Sequence, residues 1–170
     1  EQKIVDVDDP RSTLPENAAG ELMIRGPQVM MGYYNNPDAT AETLTEDGWI
    51  HTGDIASMDS EGYVWILDRK KELIKYKGFQ VPPAELEGLL LQHPDINDAA
   101  VIGKVDQDSG EIPKAYVVKT FDSNLSESDV IDFISGKVAT YKEIREVEFI
   151  DSVPKNPSGK ILRRVLRDNS

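Results

Sequence analysis

The stretch LDRKKELIKYKGFQVPPAELE, Leu67 to Glu87, constrains the fold of this chain more than any other. Charged side chains, one glycine and a double proline stand there between two apolar runs. It reads as a hairpin, Glu72 to Val81, leading into a helix with Pro83 in its first turn. Proline is tolerated at that point because its missing N–H would have no helical partner. A strand pair built only for stability alternates apolar and polar residues and turns on Asn-Gly. This one sets Lys70, Lys71, Lys75 and Lys77 beside Arg69 in a chain whose formal net charge is −12. A basic concentration inside an acidic protein points to a site for something anionic, and a small anion fits better than a polymer.

The remaining composition narrows the classes. At 170 residues there is room for one ordinary domain or two small ones with a real core. Acidity argues against a nucleic-acid partner, which needs a basic face to displace counterions. No apolar run approaches the roughly 20 residues of a membrane span. The absence of cysteine excludes disulfides, thiol catalysis and thiolate metal sites. His51 and His93 are too few and too distant to suggest a metal site, so no metal ligand is expected here. His93, just before Pro94, reads as a helix-end residue. The opening EQKIVDV reads as mid-strand, which suggests that the natural protein begins elsewhere and makes the lack of a targeting signal uninformative.

The expected fold is α+β in two sections. Residues 1–67 are strand-rich and turn-rich: runs at 3–7 and 21–25, a short helix from near Asp38, and a hairpin over 49–68. That hairpin turns at Ser60, Glu61 and Gly62, with Tyr63, Trp65 and Leu67 alternating on one face. Residues 68–170 read as a compact α+β unit of short hairpin, mixed sheet and about three helices. In it, Leu86, Leu89 and Leu90 repeat at helical spacing, and strands at 98–104 and 114–121 flank an acidic loop. Ser126 and Asp129 stand in capping-box spacing before a stripe of Val130, Ile134 and Val138. A strand at 146–150, a loop at 154–160 and a basic helix at 161–168 follow. The polar boundary at 68–71 suits a plain linker or a hinge.

Three constellations carry candidate chemistry. HTGD, His51 to Asp54, reads as a strand ending in a tight turn, where a carboxylate can accept two hydrogen bonds from a vicinal diol. An aspartate capping its own turn has the same spacing. KNPSGK, Lys155 to Lys160, lacks the spacing of a phosphate-binding G-x-x-x-x-G-K-[ST] loop. Ser158 and Gly159 would let its backbone move, and Lys160 could bring a point charge to a phosphate; a solvated loop lysine satisfies the same sequence. Gly78, in KYKG, permits close approach by a ligand or a left-handed turn, and lysines at a hairpin tip also discourage edge pairing.

In order and wording these pieces resemble one family. GELMIRGPQVMMGYYNNPDATAET, then DGWIHTGDIASMDSEGYVWILDRKKELIKYKGFQVPPAELEGLLLQHP, then VPKNPSGKILRR are similar to the last third of adenylate-forming enzymes. These are the acyl-CoA synthetases, adenylation domains and beetle luciferases, and the hairpin wording is closest to 4-coumarate–CoA ligases and luciferases. The resemblance covers essentially the whole chain in one register.

It implies that Asp54 holds the ribose hydroxyls of ATP with help from Arg69. Residues Asp68, Arg69, Lys70 and Lys71 would form a hinge, with Lys71 also near the adenylate. Lys160 would serve adenylation, bridging carboxylate and phosphates. Lys75 would replace it for thioester formation, with Gln80 as a second-step residue. Lys77, Gly78 and Phe79 would contact CoA. The partners are a carboxylic acid, ATP and CoA, together with the large N-terminal domain of the same protein. Magnesium ligands (Mg2+) and the acyl pocket are expected in that domain, upstream of residue 1, so this section alone should be inactive. Two positions depart from the family wording, Lys70 where leucine is common and Pro82 where alanine is usual. A luciferase-like or carrier-loading enzyme is the nearest alternative, and a non-catalytic binding module keeping the fold is one of another class. A cytoplasmic location is expected, with a peroxisomal one left open by the uncertain termini.

Overall fold

The computed structural model describes residues 1–168; Asn169 and Ser170, the last two residues of the expected second section, lie outside the described residues. The architecture is α+β, in two compact units that divide between Lys71 and Glu72.

In the first unit a four-stranded antiparallel sheet runs in chain order: β1 (Gln2–Val5), β2 (Gly20–Ile24), β3 (Ile50–Met58) and β4 (Val64–Arg69). Period-two alternation sends Ile4, Leu22 and Ala56 into one apolar cluster and Val5, Met23 and Trp49 into another. Helix α1 (Pro37–Thr43) starts at Asn36, whose side chain accepts the Ala39 N–H. The β3–β4 turn is organised by Asp59, whose Oδ1 accepts from the N–H groups of Glu61 and Tyr63.

One expectation fails in this unit. His51–Asp54 does not end a strand in a turn but lies inside β3. His51 stands opposite Met23 and Ile55 opposite Glu21, so three residues of β3 face Leu22 alone. Gly53, with φ of 69°, adopts the left-handed conformation that such a bulge uses. On the β3–β4 hairpin the Tyr63 and Trp65 rings are neighbours, with centroids 6.4 Å apart. Tyr63, Trp65 and Leu67 are exposed and so is Ile66 between them, while Asp68 is buried.

The second unit is built on a five-stranded sheet. Strands β5 (Ile74–Tyr76), β6 (Phe79–Val81), β7 (Ile96–Asp106) and β8 (Gly110–Lys119) lie in the order β6-β5-β8-β7, and β9 (Glu146–Phe149) joins β8 in parallel. The near-continuous apolar runs of β7 and β8 are explained by burial on both faces. Ala99, Val101, Ala115 and Val117 meet Leu86 and Leu90 of α2 (Pro83–Leu90) and Val130 and Ile134 of α3 (Glu127–Ile134). Ala100, Ile102 and Tyr116 meet Val153 and Leu166, the latter on α4 (Arg163–Arg167).

The capping box forms as expected, Ser126 accepting the Asp129 N–H and Asp129 the Ser126 N–H. The helical stripe, however, stops at Ile134. Gly136 takes a φ of 77° just past the helix end, so Val138 packs on the core from outside the helix. On β7 the two backbone polar groups of Val101 are covered by an ion pair. Glu87 accepts the Val101 N–H at 2.8 Å, Arg163 donates to the Val101 carbonyl at 3.3 Å, and the two side chains meet at 2.7 Å. Satisfying strand groups this way discourages pairing with another chain.

Candidate functional site

The first unit carries one group of candidate residues. Across the β3–β4 ladder Asp54 pairs with Arg69, and the guanidinium Nε lies 2.7 Å from Asp54 Oδ1. Arg69 is half-exposed while Asp54 is mostly covered, so the pair presents a carboxylate oriented by a cation. The Asp54 N–H is held by Thr52 Oγ1 at 3.1 Å, which leaves the carboxylate out of its own turn. That is the arrangement a diol-binding acid requires, with acceptor oxygens fixed in direction.

The same unit holds a buried acid that sequence reasoning missed. Glu21, 2% exposed in β2, receives Lys70 Nζ at 2.9 Å and His51 Nδ1 at 3.1 Å on the same carboxylate oxygen, Oε2. Burial pushes the Glu21 carboxyl up, but the hydrogen bonds and charges of Lys70 and His51 together outweigh it and hold the group below its ordinary value. The signal was a glutamate inside the apolar strand GELMI. Lys70 is thus bound within the first unit. Asp68 is buried and accepts the Arg69 N–H at 2.7 Å.

The second unit carries the other group. Ile74 and Val81 are Cα partners, both buried in the core, and this fixes the hairpin register. Lys75 and Gln80 are therefore paired on the opposite, outer face. Tyr76 pairs with Phe79, which leaves a two-residue loop of Lys77 and Gly78 with φ of 48° and 83°. Positive φ at both positions is the condition of a type I′ turn. The neighbouring acidic loop braces this hairpin: Glu111 accepts the Lys75 N–H at 2.8 Å and Ser109 the Lys77 N–H at 2.8 Å. Phe79, half-exposed, stacks on Tyr141 with ring centroids 4.6 Å apart.

Lys160 ends a loop that is closed rather than slack. The expectation that Ser158 and Gly159 free the backbone does not hold, because Asn156 accepts from both Ser158 and Lys160 and Lys155 bridges to Ile161. Lys160 itself remains exposed.

Lysine pairing sorts the candidates. Lys70, Lys104, Lys114, Lys142 and Lys155 are bound to carboxylates. Lys3, Lys77 and Lys137 lie over aromatic rings, and Lys119 donates to the Leu125 carbonyl. Among the described residues, Lys71, Lys75 and Lys160 are the lysines whose ammonium groups have no such partner. Among the described residues, no group of three or more histidine, aspartate and glutamate side chains is placed to hold a metal ion.

The chain is similar to known proteins over almost all of its length. Residues 85–160 match the family model of the AMP-binding enzyme C-terminal domain. Over 98% of its length the chain is 56% identical to 4-coumarate–CoA ligase 1 of Solanum tuberosum and 58% identical to 4-coumarate–CoA ligase 1 of Arabidopsis thaliana. It spans about 30% of the length of each of these curated relatives. ATP-bound MatB from Rhodopseudomonas palustris matches 99% of the chain with a TM-score of 0.91 at 33% identity, the chain covering 33% of that protein. The o-succinylbenzoate CoA synthetase MenE of Bacillus subtilis, in complex with its acyl-adenylate intermediate, matches 99% with a TM-score of 0.84 at 35% identity, the chain covering 34% of it. Nearly the whole chain is thus similar to one section of adenylate-forming enzymes, and residues 85–160 match the AMP-binding enzyme C-terminal domain.

Proposed function

We propose that the chain is the C-terminal section of an ATP-dependent acyl-CoA ligase of the 4-coumarate type. The observation that carries this reading is that, among the described residues, the ammonium groups of Lys71, Lys75 and Lys160 have no partner while the other lysines meet a carboxylate, a carbonyl or an aromatic ring. In the proposed reaction a carboxylate oxygen attacks the α-phosphorus of ATP, the bond to the leaving pyrophosphate breaks, and an acyl-adenylate forms. The sulfur of CoA then attacks the acyl carbon and AMP leaves.

Each step brings anionic groups together, which a placed cation favours electrostatically. Lys160 serves the first step and Lys75 the second, with Gln80 beside it. Asp54, oriented by Arg69, accepts the ribose hydroxyls, and Lys71 lies toward the adenylate. At the hairpin tip, Lys77 and Gly78 receive CoA with Phe79. Two lysines serving two steps from one small domain require that domain to turn about a hinge at residues 68–71. No step is assigned to magnesium, whose ligands belong to the large N-terminal domain of the proposed protein, and this section by itself is inactive.

The test is product identification with the full-length protein that carries this chain, supplied with cinnamic-type and other carboxylic acids, ATP and CoA. Formation of AMP and a CoA thioester, seen by mass spectrometry, is the expected result. Pyrophosphate exchange without a CoA thioester would move the reading to a carrier-loading or light-emitting enzyme. Absence of exchange with any acid would favour a non-catalytic module.

A further inference from the structure

We propose that Asn156 is a positioning residue for Lys160, fixing the root from which that side chain reaches. The inference rests on the reading of Lys160 as the adenylation lysine. Asn156 Oδ1 accepts three hydrogen bonds: from the Ser158 N–H at 3.0 Å, the Ser158 hydroxyl at 2.8 Å and the Lys160 N–H at 2.9 Å. The Asn156 backbone N–H donates to the Lys160 carbonyl at 2.9 Å, and its own carbonyl accepts from Gly159 at 2.9 Å. Both backbone polar groups of Lys160 therefore close on one residue. Gly159, with φ of 84°, supplies the left-handed step that lets the loop return so tightly.

The base of the loop is tied independently. Leu162 donates to the Pro154 carbonyl at 2.8 Å, Lys155 meets Asp98 at 2.6 Å, and Arg163 is held by Glu87 at 2.7 Å. Loss of the Asn156 side chain would thus loosen the tip that carries Lys160 while the ends stay anchored. The lysine side chain is exposed and without a partner, so nothing else among the described residues holds it. A point charge on a long stem acts in a transition state only when its origin is fixed to within about half an ångström.

The Asn156 amide nitrogen makes no hydrogen bond among the described residues. Aspartate at this position would keep every bond the side chain accepts, and alanine would keep only the two backbone bonds, to Lys160 and from Gly159. The experiment uses the full-length protein and compares Asn156→Ala, Asn156→Asp and Lys160→Ala. Two rates are measured, ATP–pyrophosphate exchange and thioester formation from supplied acyl-adenylate. Asn156→Ala is expected to lower kcat of exchange about tenfold with KM for the acid within about twofold, since placement rather than binding is lost. Asn156→Asp should return exchange to within about threefold of wild type, and thioester formation should be unchanged in both.

Wild-type exchange by Asn156→Ala, where Lys160→Ala has lost it, would overturn the inference while leaving the role of Lys160 standing. Equal slowing of both half-reactions would overturn it too, as a merely structural effect. Normal exchange by Lys160→Ala would remove the reading on which the inference rests. If Asn156→Ala does not fold, Asn156→Ser takes its place, with an exchange rate between wild type and Lys160→Ala expected and a wild-type rate contradicting the inference.

Discussion

Lys77 sits at φ of 48°, a conformation that costs an ordinary side chain about 1 kcal/mol or more and that hairpins usually assign to asparagine or glycine. Local strain at the tip of a charged hairpin is explained if the lysine is kept for its charge. Lys77→Asn should therefore raise stability by about 1 kcal/mol, read as a higher unfolding midpoint in urea. The same variant should raise KM for CoA by about tenfold in the full-length protein, through loss of a charged contact. A lysine here was legible as a charge, but its strain was not, since φ depends on the register that buried Ile74 and Val81 impose.

Glu21 gives a residue-scale prediction in pH. Its folded carboxyl is held below the ordinary value of 4.5, so the associated stability is present above that value and lost as pH falls through the depressed folded one. Thermal melts of the chain between pH 6 and about 3 should show this loss, and Glu21→Gln should flatten that part of the profile. An unchanged acid limb in the variant would show that Lys70 and His51 do not hold the carboxylate. Sequence alone showed the glutamate among apolar neighbours; its partners come from β3 and from the segment after β4, far along the chain.

At the scale of elements, local chemistry was the more readable. The Ser126/Asp129 box starts α3 where its spacing places it, because capping is satisfied within four residues. The stripe extended to Val138 misled, since the left-handed Gly136 ends the helix before that position. The HTGD turn misled for a deeper reason. A bulge is defined by the partner strand, and nothing in HTGD states that Leu22 will face three residues. The Glu87–Arg163 pair is likewise non-local, joining α2, β7 and α4 across 76 positions. Arg163→Met would leave Glu87 nearly buried without its cation, and a loss of about 3 kcal/mol is expected in urea unfolding. A loss below about 1 kcal/mol would mean that the pair is not a structural clasp.

For the whole molecule, the order of motifs carried the resemblance, while the proposed chemistry rests on which cations stay unpaired among the described residues. A net charge of −12 provides ample carboxylates, and the structure gives Lys70, Lys104, Lys114, Lys142 and Lys155 to them. Among the described residues Lys71, Lys75 and Lys160 have neither a carboxylate, a carbonyl nor an aromatic ring as partner, a pattern no spacing rule could have shown. The proposed division of labour is tested most directly by measuring both half-reactions of the full-length protein with Lys160→Ala and with Lys75→Ala. Lys160→Ala should lose pyrophosphate exchange by about a hundredfold or more yet still convert supplied acyl-adenylate to thioester. Lys75→Ala should keep exchange and lose the thioester step by a similar factor. Two variants that both behave as wild type, or that lose both steps together, would contradict the assignment of one lysine to each step.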